Sequence, residues 1–185
     1  MLKNIRVVLV LLVMCGIAYP LLMTGVAQVI MPAKADGSLI KNESGKIIGS
    51  ELIGQSFKDP GYFHGRVSSI EYDAAGSGTP NYAPSNEDMI KRTKKDLATF
   101  LKDNPTVTQE EIPADLLTNS GSGLDPNISP QGAKIQVSRI AKERNVSEKS
   151  IYNLVDKHTE GRSLGVFGDP RVNVLKLNIA LDQLK

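Results

Sequence analysis

The stretch VVLVLLVMCGIAYPLLMTGVAQVIM, Val7 to Met31, decides the architecture of this chain because it contains no charged residue. An α-helix needs about 20 predominantly apolar residues to cross the ~30 Å hydrocarbon core of a bilayer. Pro20 interrupts the run, but membrane helices tolerate proline where neighbouring groups satisfy the freed carbonyl. The sequence therefore predicts a transmembrane helix over residues 7–31.

A cleavable signal peptide is the alternative, since Lys3 and Arg6 form a basic start and Ala33–Ala35 has the A-x-A form of a cleavage site. The apolar core of a signal peptide runs about 7–15 residues, so the longer run favours a retained anchor. Long downstream domains translocate largely regardless of their charge. We therefore expect residues 1–6 in the cytoplasm and residues 36–185 as one extracytoplasmic domain at the cell membrane.

The charge balance of the downstream domain argues against several classes of function. It holds all 20 acidic residues and 19 of the 22 basic ones, whereas nucleic-acid binders need a basic footprint. Cys15 is the single cysteine and lies in the span, and the two histidines lack metal-ligand spacing. A G-x-S-x-G nucleophile elbow is absent. We predict no catalytic residues, no metal site and no nucleic-acid partner.

The pattern of elements in the domain predicts an α+β fold. A hairpin is expected around a turn at residues 42–45, and an irregular loop or flap over residues 74–86. Ser85, Ser129 and Ser147 are predicted to cap three helices. Residues 163–178 predict two β-rich runs around a Gly-Asp-Pro turn, followed by a closing helix with an apolar stripe to Leu184.

The segment TNSGSGLDPNISPQGA, Thr118 to Ala133, invites a nucleotide interpretation because glycines and serines precede a helix start. It is not the G-x-x-x-x-G-K-[ST] loop, and no lysine follows within reach of a phosphate. The simpler interpretation is a rigid turn in which Gly121 and Gly123 take positive φ or allow close backbone approach. This turn would lie at a partner surface, with contact candidates Ser120, Gly121, Gly123, Asp125 and Asn127.

Two further patterns leave alternatives open. RIAKERNVSEKSIYNLVDKH, Arg139 to His158, has the form of a helix-turn-helix, so the alternative function is a membrane-anchored DNA-binding regulator with an inward domain. In the span, Gly16, Pro20, Thr24 and Ala27 fall at helical spacing on one side. Small residues let membrane helices approach closely, although a lipid-exposed tether would show the same spacing.

Four motifs in order carry a family resemblance: LIGQSFKDPGYFHGR (52–66), DLLTNSGSGLDPNISPQGA (115–133), QVSRIAKERN (136–145) and VNVLKLNIAL (172–181). Together the motifs resemble the C subunit of the Kdp potassium-transporting ATPase over nearly the whole chain. Two departures from the family pattern are Val67, where proline is usual, and the sequence of residues 77–86. They leave the conformation of those loops open.

The resemblance implies a non-catalytic accessory subunit of an ATP-driven potassium import complex. Its implied partners are a channel-like potassium-binding subunit and a P-type ATPase subunit. The family is described as assisting assembly and as a catalytic chaperone that raises the ATP affinity of the ATPase subunit. No cofactor is expected to bind tightly, and ATP is expected through the complex with the ATPase subunit, with direct contact to this chain left open. By the resemblance, Gln136 is the candidate nucleotide-binding residue.

Overall fold

The structure is a computed structural model that describes residues 2–42 and 44–184. Met1, Glu43 and Lys185 lie outside the described residues. Met1 is the first residue of the predicted segment 1–6, and Lys185 is the last residue of the predicted domain 36–185. The chain divides into two compact units, Met1–Ser50 and Glu51–Lys185.

The first unit begins with one long apolar helix. It consists of α1 (Leu2–Val13), a wider π-helical turn (Met14–Ala18) and α2 (Tyr19–Ile30), followed by the short α3 (Pro32–Ala35). The continuous helix Leu2–Ile30 has 29 residues and a mean hydropathy of 2.5 in its most apolar window. At 1.5 Å per residue it is about 44 Å long, so it can cross a bilayer with tilt.

The predicted hairpin of the first unit is confirmed. Strands β1 (Leu39–Lys41) and β2 (Ile47–Ser50) pair antiparallel, with Leu39 opposite Ser50. The turn depends on Asn42, whose Oδ1 accepts from the Lys46 N–H at 2.9 Å, and on Gly45 at φ +77°.

The second unit mixes helices with a small antiparallel sheet, so the predicted α+β class is confirmed. Short 3-10 turns occupy Gln109–Glu111 and Ala114–Leu116. The strands lie in the order β3-β5-β4. The elements are α4 (Glu87–Asp103), β3 (Asn127–Ile128), α5 (Pro130–Lys134), α6 (Val137–Arg144), α7 (Glu148–His158), β4 (Thr159–Glu160), β5 (Arg171–Asn173) and α8 (Val174–Asp182).

Local capping chemistry explains where the helices start. The hydroxyls of Ser129 and Ser147 accept from backbone N–H groups in the first turns of α5 and α7, as predicted. The predicted cap at Ser85 is wrong by one residue. Asn86 caps α4 instead, because its Oδ1 accepts from the N–H groups of Asp88 and Met89.

Two other predicted elements are corrected by the structure. The single helix expected after Ser129 is broken between α5 and α6, because the Gln136 Nε2 occupies the carbonyl of Gly132. The Gln136 N–H then bonds to Ala133 one residue nearer, which ends α5. Of the two β-rich runs predicted over residues 163–178, the first forms an isolated bridge between Ser163 and Phe167, and the second is a strand only over Arg171–Asn173. The Asn173 side chain accepts from the Lys176 N–H and starts α8.

The core lies where these helices pack against the inner face of the sheet. α7 and α8 are neighbours, and both contact β5. The side chains that are at most 2% exposed in this cluster are Phe63, Ile128, Ala133, Val137, Ile140, Ile151, Val155, Val172, Leu177 and Leu181. Phe63 belongs to no helix or strand, so an irregular loop is anchored in the centre of the unit.

Candidate functional site

One irregular loop of the second unit, Asp59–Arg66, is held by side chains from several elements and is called the clamped loop below. Asp59 starts it with an Asx turn, because its Oδ1 accepts from the Gly61 N–H at 2.7 Å. The Tyr62 N–H then bonds to the Asp59 carbonyl at 3.1 Å. The turn directs the Phe63 ring, which is 0% exposed, into the core.

Two buried amide side chains pair with the backbone of the clamped loop. Asn178 on α8 accepts from the Phe63 N–H at 2.9 Å and donates to the Phe63 carbonyl at 3.0 Å. Gln136 accepts from the His64 N–H at 2.8 Å and donates to the His64 carbonyl at 3.1 Å. Each amide bonds to both the N–H and the carbonyl of one loop residue, as a neighbouring β-strand would. In this way the amides satisfy backbone groups that have no strand beside them.

Arg139 on α6 holds the first half of the clamped loop. Its guanidinium donates to the carbonyls of Pro60 and Tyr62, to Gln136 Oε1 at 2.8 Å and to Asn104 Oδ1 at 3.0 Å. Burial lowers the pKa of Arg139 to about 10, although nearby carboxylates oppose the change. The residue therefore stays cationic at neutral pH.

Arg144, at the end of α6, fixes the same turn from a second side. Its Nε donates to the Gly61 carbonyl at 2.6 Å and its Nη2 to Asp182 Oδ1 at 2.8 Å. The guanidinium also lies 4.4 Å from the centre of the Tyr62 ring, a distance typical of a cation–π contact. Arg144 thus links the loop to the last turn of α8.

Arg66 ends the clamped loop and ties it to the predicted partner segment. It forms an ion pair with Asp125 at 3.0 Å and donates to the carbonyls of Thr118 and Asn119 at 3.3 and 3.2 Å. The loop and the glycine-rich segment are therefore one connected structure.

The pKa of His64 is lowered, first by burial and then by the charge of Arg139. Its Nε2 lies 3.0 Å from the Asp59 carbonyl, a contact that a protonated ring could also make. The neutral imidazole is favoured because the charged form would be desolvated beside a cation.

The residues predicted at a partner surface in the 118–127 segment are not equally accessible. Ser120 and Gly123 are buried and Gly121 is exposed, while Asp125 and Asn127 are half-buried. Asp125 and Asn127 line a polar groove of about 420 Å³ that also includes Arg66. The groove and Gly121 are the accessible parts of the predicted surface.

The two glycines of this segment differ in conformation. Gly123 has φ +71°, and a Cβ there would lie 2.9 Å from Ile70 Cγ1 and 3.0 Å from the Gly78 carbonyl oxygen. Gly121 was predicted to share that role, but its φ is not positive and a Cβ there would meet nothing within 4 Å. Of the two glycines, only Gly123 is needed for the close approach of this segment to Ile70 and Gly78.

The predicted nucleotide residue, Gln136, is 0% exposed. Its amide oxygen accepts from His64 and Arg139, and its amide nitrogen donates to His64 and Gly132. A nucleotide contact would have to replace some of these bonds. The contact stays a prediction.

In the span, Gly16, Pro20 and Thr24 are exposed and Ala27 is half-buried. Pro20 follows the π-helical turn, in which the Tyr19 N–H bonds back to Met14. A wider turn can ease the steric clash of a proline ring with the preceding turn. Thr24 Oγ1 donates to the Pro20 carbonyl at 2.8 Å. Whether this face contacts a partner stays a prediction.

Sequence reasoning missed most of the residues that hold the clamped loop, namely Asn104, Arg139, Arg144 and Asn178. One signal could have found Asn178, because it lies inside the apolar stripe of the closing helix. A polar residue at a core position needs a buried partner. Among the described residues there is no cluster of three or more His, Cys, Asp or Glu side chains that could hold a metal ion.

The geometry defines a class of protein: a helix of membrane-spanning length and an α+β unit whose buried polar groups hold one loop in place. The chain matches the family "KdpC: K+-transporting ATPase, c chain" over residues 1–183. It is 56% identical to the potassium-transporting ATPase KdpC subunit of Bacillus cereus strain ATCC 10987, over 97% of this chain and 93% of that one. The KdpC subunits of Bacillus anthracis and Bacillus thuringiensis subsp. konkukian are each 55% identical over the same shares.

The chain therefore belongs to the KdpC family, the C subunits of the potassium-transporting Kdp ATPase. It is a subunit of that complex and is not itself the catalyst. The family resemblance seen in the four sequence motifs is confirmed.

Proposed function

We propose that this chain assists assembly of a high-affinity, ATP-driven potassium import complex and acts as its catalytic chaperone. In this role it raises the ATP affinity of the P-type ATPase subunit. It does so by biasing that subunit's conformations, since a partner shifts an equilibrium by its different affinity for the two states. The observation that carries the proposal is the clamped loop, which buried amides and arginines hold in one conformation.

The test compares purified complexes with and without this subunit. With the subunit present, we expect half-maximal ATPase activity at a lower ATP concentration. An unchanged ATP dependence would refute the chaperone role. Photolabelling with an azido-ATP analogue separates indirect from direct action, because a label on the peptide that contains Gln136 would indicate direct contact.

The downstream domain is proposed to lie outside the cytoplasm, over the entrance of the channel-like potassium-binding subunit. Protease added to intact cells or spheroplasts should then cleave the domain. Protection until the membrane is opened would favour the alternative, a DNA-binding regulator with an inward domain. Helices α6 and α7 are joined by a tight turn with Asn145 at φ +54°, but the family membership supports the transport role instead.

The span is proposed to pack against helices of the partner subunits through Gly16, Pro20, Thr24 and Ala27. Gly16→Leu combined with Thr24→Leu should reduce co-purification with the other subunits, because larger side chains keep helix backbones apart. Ala18→Leu combined with Gly25→Leu, which enlarges two small exposed residues on the opposite side of the helix, is the matched control. Equal recovery of both double variants would count against the contact.

A further inference from the structure

The turn that joins β4 to β5 exposes three large apolar side chains. All ten residues from Gly161 to Pro170 are exposed. Leu164, Val166 and Phe167 are 90%, 71% and 66% exposed, whereas the next most exposed large apolar side chain of the second unit, Leu52, is at 58%. Residues 163–168 are called the apolar tip below.

The apolar tip is folded. Ser163 and Phe167 exchange two backbone hydrogen bonds of 2.9 Å each, and the Gly165 N–H bonds to the Arg162 carbonyl at 3.1 Å. Below them Arg162 forms an ion pair with Asp169 at 3.1 Å. The exposure is therefore built into an ordered turn, which loses little conformational entropy when it binds a partner.

Leu164 combines two unfavourable features at one position. Its φ is +53°, a conformation that suits glycine or asparagine and is uncommon for a bulky side chain. The same side chain is the most exposed of the large apolar side chains described in the second unit. Backbone strain of this kind tends to occur where a residue serves a function, and a contact that covers Leu164 would offset the exposure.

The charges beside the tip distinguish a protein partner from a lipid surface. Arg162 is paired with Asp169, and Arg171 with Glu160 at 2.9 Å. Segments that attach to anionic membranes combine apolar side chains with available lysine or arginine. A base of paired charges instead matches the polar rim that surrounds the apolar centre of a protein–protein interface.

We propose that the apolar tip is a docking element that inserts Leu164 and Phe167 into an apolar pocket on another subunit of the potassium-transporting ATPase complex. This inference rests on the proposed function, since it requires stable assembly with those subunits. Large apolar side chains seated in a pocket commonly dominate the affinity of an interface. Val166 extends the contact at the edge of the tip.

The first experiment uses the full-length chain in the detergent-solubilised complex and measures its exchange with a tagged copy. Leu164→Asn should speed dissociation at least about tenfold, since it removes one apolar anchor. The same change should leave the thermal midpoint of the free chain unchanged or higher, because asparagine tolerates positive φ. Leu52→Asn, the same substitution at another exposed leucine, is the control and should leave the exchange rate unchanged.

Each outcome of this experiment decides the inference. Equal exchange of the wild-type and Leu164→Asn chains would overturn it while leaving the proposed function intact. The same exchange is also measured with the complex in a bilayer. If Leu164→Asn speeds dissociation only in the bilayer and not in detergent, the tip binds lipid and the inference is overturned. If the wild-type chain does not co-purify with the other subunits, the proposed function fails and the inference fails with it.

A second experiment does not depend on the asparagine variant. Phe167→p-benzoylphenylalanine in the assembled complex should yield, on illumination, an adduct with the mass of this chain plus one partner subunit. The same photoreactive group at Leu52 is the control. Adducts to lipid alone would refute docking in a protein pocket.

Discussion

The pairing of Asn178 with the backbone of Phe63 predicts a large loss of stability in Asn178→Leu. Leucine has the branched shape of asparagine with somewhat larger terminal groups, and both hydrogen bonds to Phe63 are lost. The site is closed to solvent, since Asn178 is 1% and Phe63 0% exposed. Water therefore cannot easily replace the amide.

The magnitude follows from the two backbone groups left without partners. A buried donor or acceptor that loses its partner costs about 1–3 kcal/mol. Two such groups, partly offset by the added apolar contact of leucine, give a loss of about 2–4 kcal/mol. This is a large fraction of the ~5–15 kcal/mol by which domains are stable.

Urea denaturation of the full-length chain in mild detergent measures the global effect. Hydrogen exchange of the peptide that contains Phe63 and His64 measures the local one, and its exchange should quicken at least about tenfold. Asn153→Leu, at an exposed position on α7, is the matched control and should change stability by no more than about 0.5 kcal/mol. A result for Asn178→Leu as small as the control would refute the reasoning.

Three further changes have defined outcomes. Gly123→Ala should destabilise the chain by about 1–3 kcal/mol through strain and overpacking, whereas Gly121→Ala, in open space, should be nearly neutral in thermal unfolding; equal effects would contradict the role of Gly123. The pKa of His64 is lowered in the folded state, so its contribution makes stability fall as the pH drops below the unfolded pKa of about 6.5. His64→Gln should therefore weaken the dependence of the thermal midpoint on pH below about 6.5. If that dependence is unchanged, His64 is not its cause. Asp115→Ala removes the acceptor for the N–H and hydroxyl of Ser129 and should cost about 1–3 kcal/mol in urea unfolding; a loss below about 0.5 kcal/mol would show that this contact does not hold α5.

Features that depend on neighbouring residues could be predicted from the sequence. The apolar helix, the β1–β2 hairpin and the caps at Ser129 and Ser147 each arise from chemistry within a few positions. The α+β class followed from the order of such signals. For these features the residues that determine the structure are neighbours in the sequence.

The clamped loop could not be predicted, because its partners are distant in the chain. Asn178 and Phe63 are 115 positions apart, and Gln136 and His64 are 72 apart. A further bond of Gln136, to a residue only four positions earlier, explains the wrong prediction of a single helix after Ser129. The Gln136 side chain takes the Gly132 carbonyl that a continuous helix would have used, and no local pattern specifies that choice.

The chemistry of the clamp bears on what the loop does. Apolar packing without any polar contact could anchor the Phe63 ring. Buried polar networks stabilise a fold only when every polar group in them has a partner. What Gln136, Asn178 and Arg139 add is a fixed backbone position and register, because their bonds are directional. A subunit that acts by favouring one conformation of its partner gains from such rigidity, since a flexible loop would lose affinity to ordering. If the loop serves only to fill the core, replacing Gln136 should lower stability without altering the ATP dependence of the assembled complex. If it acts on the partner, the ATP dependence should change in proportion to the loss of order in residues 59–66.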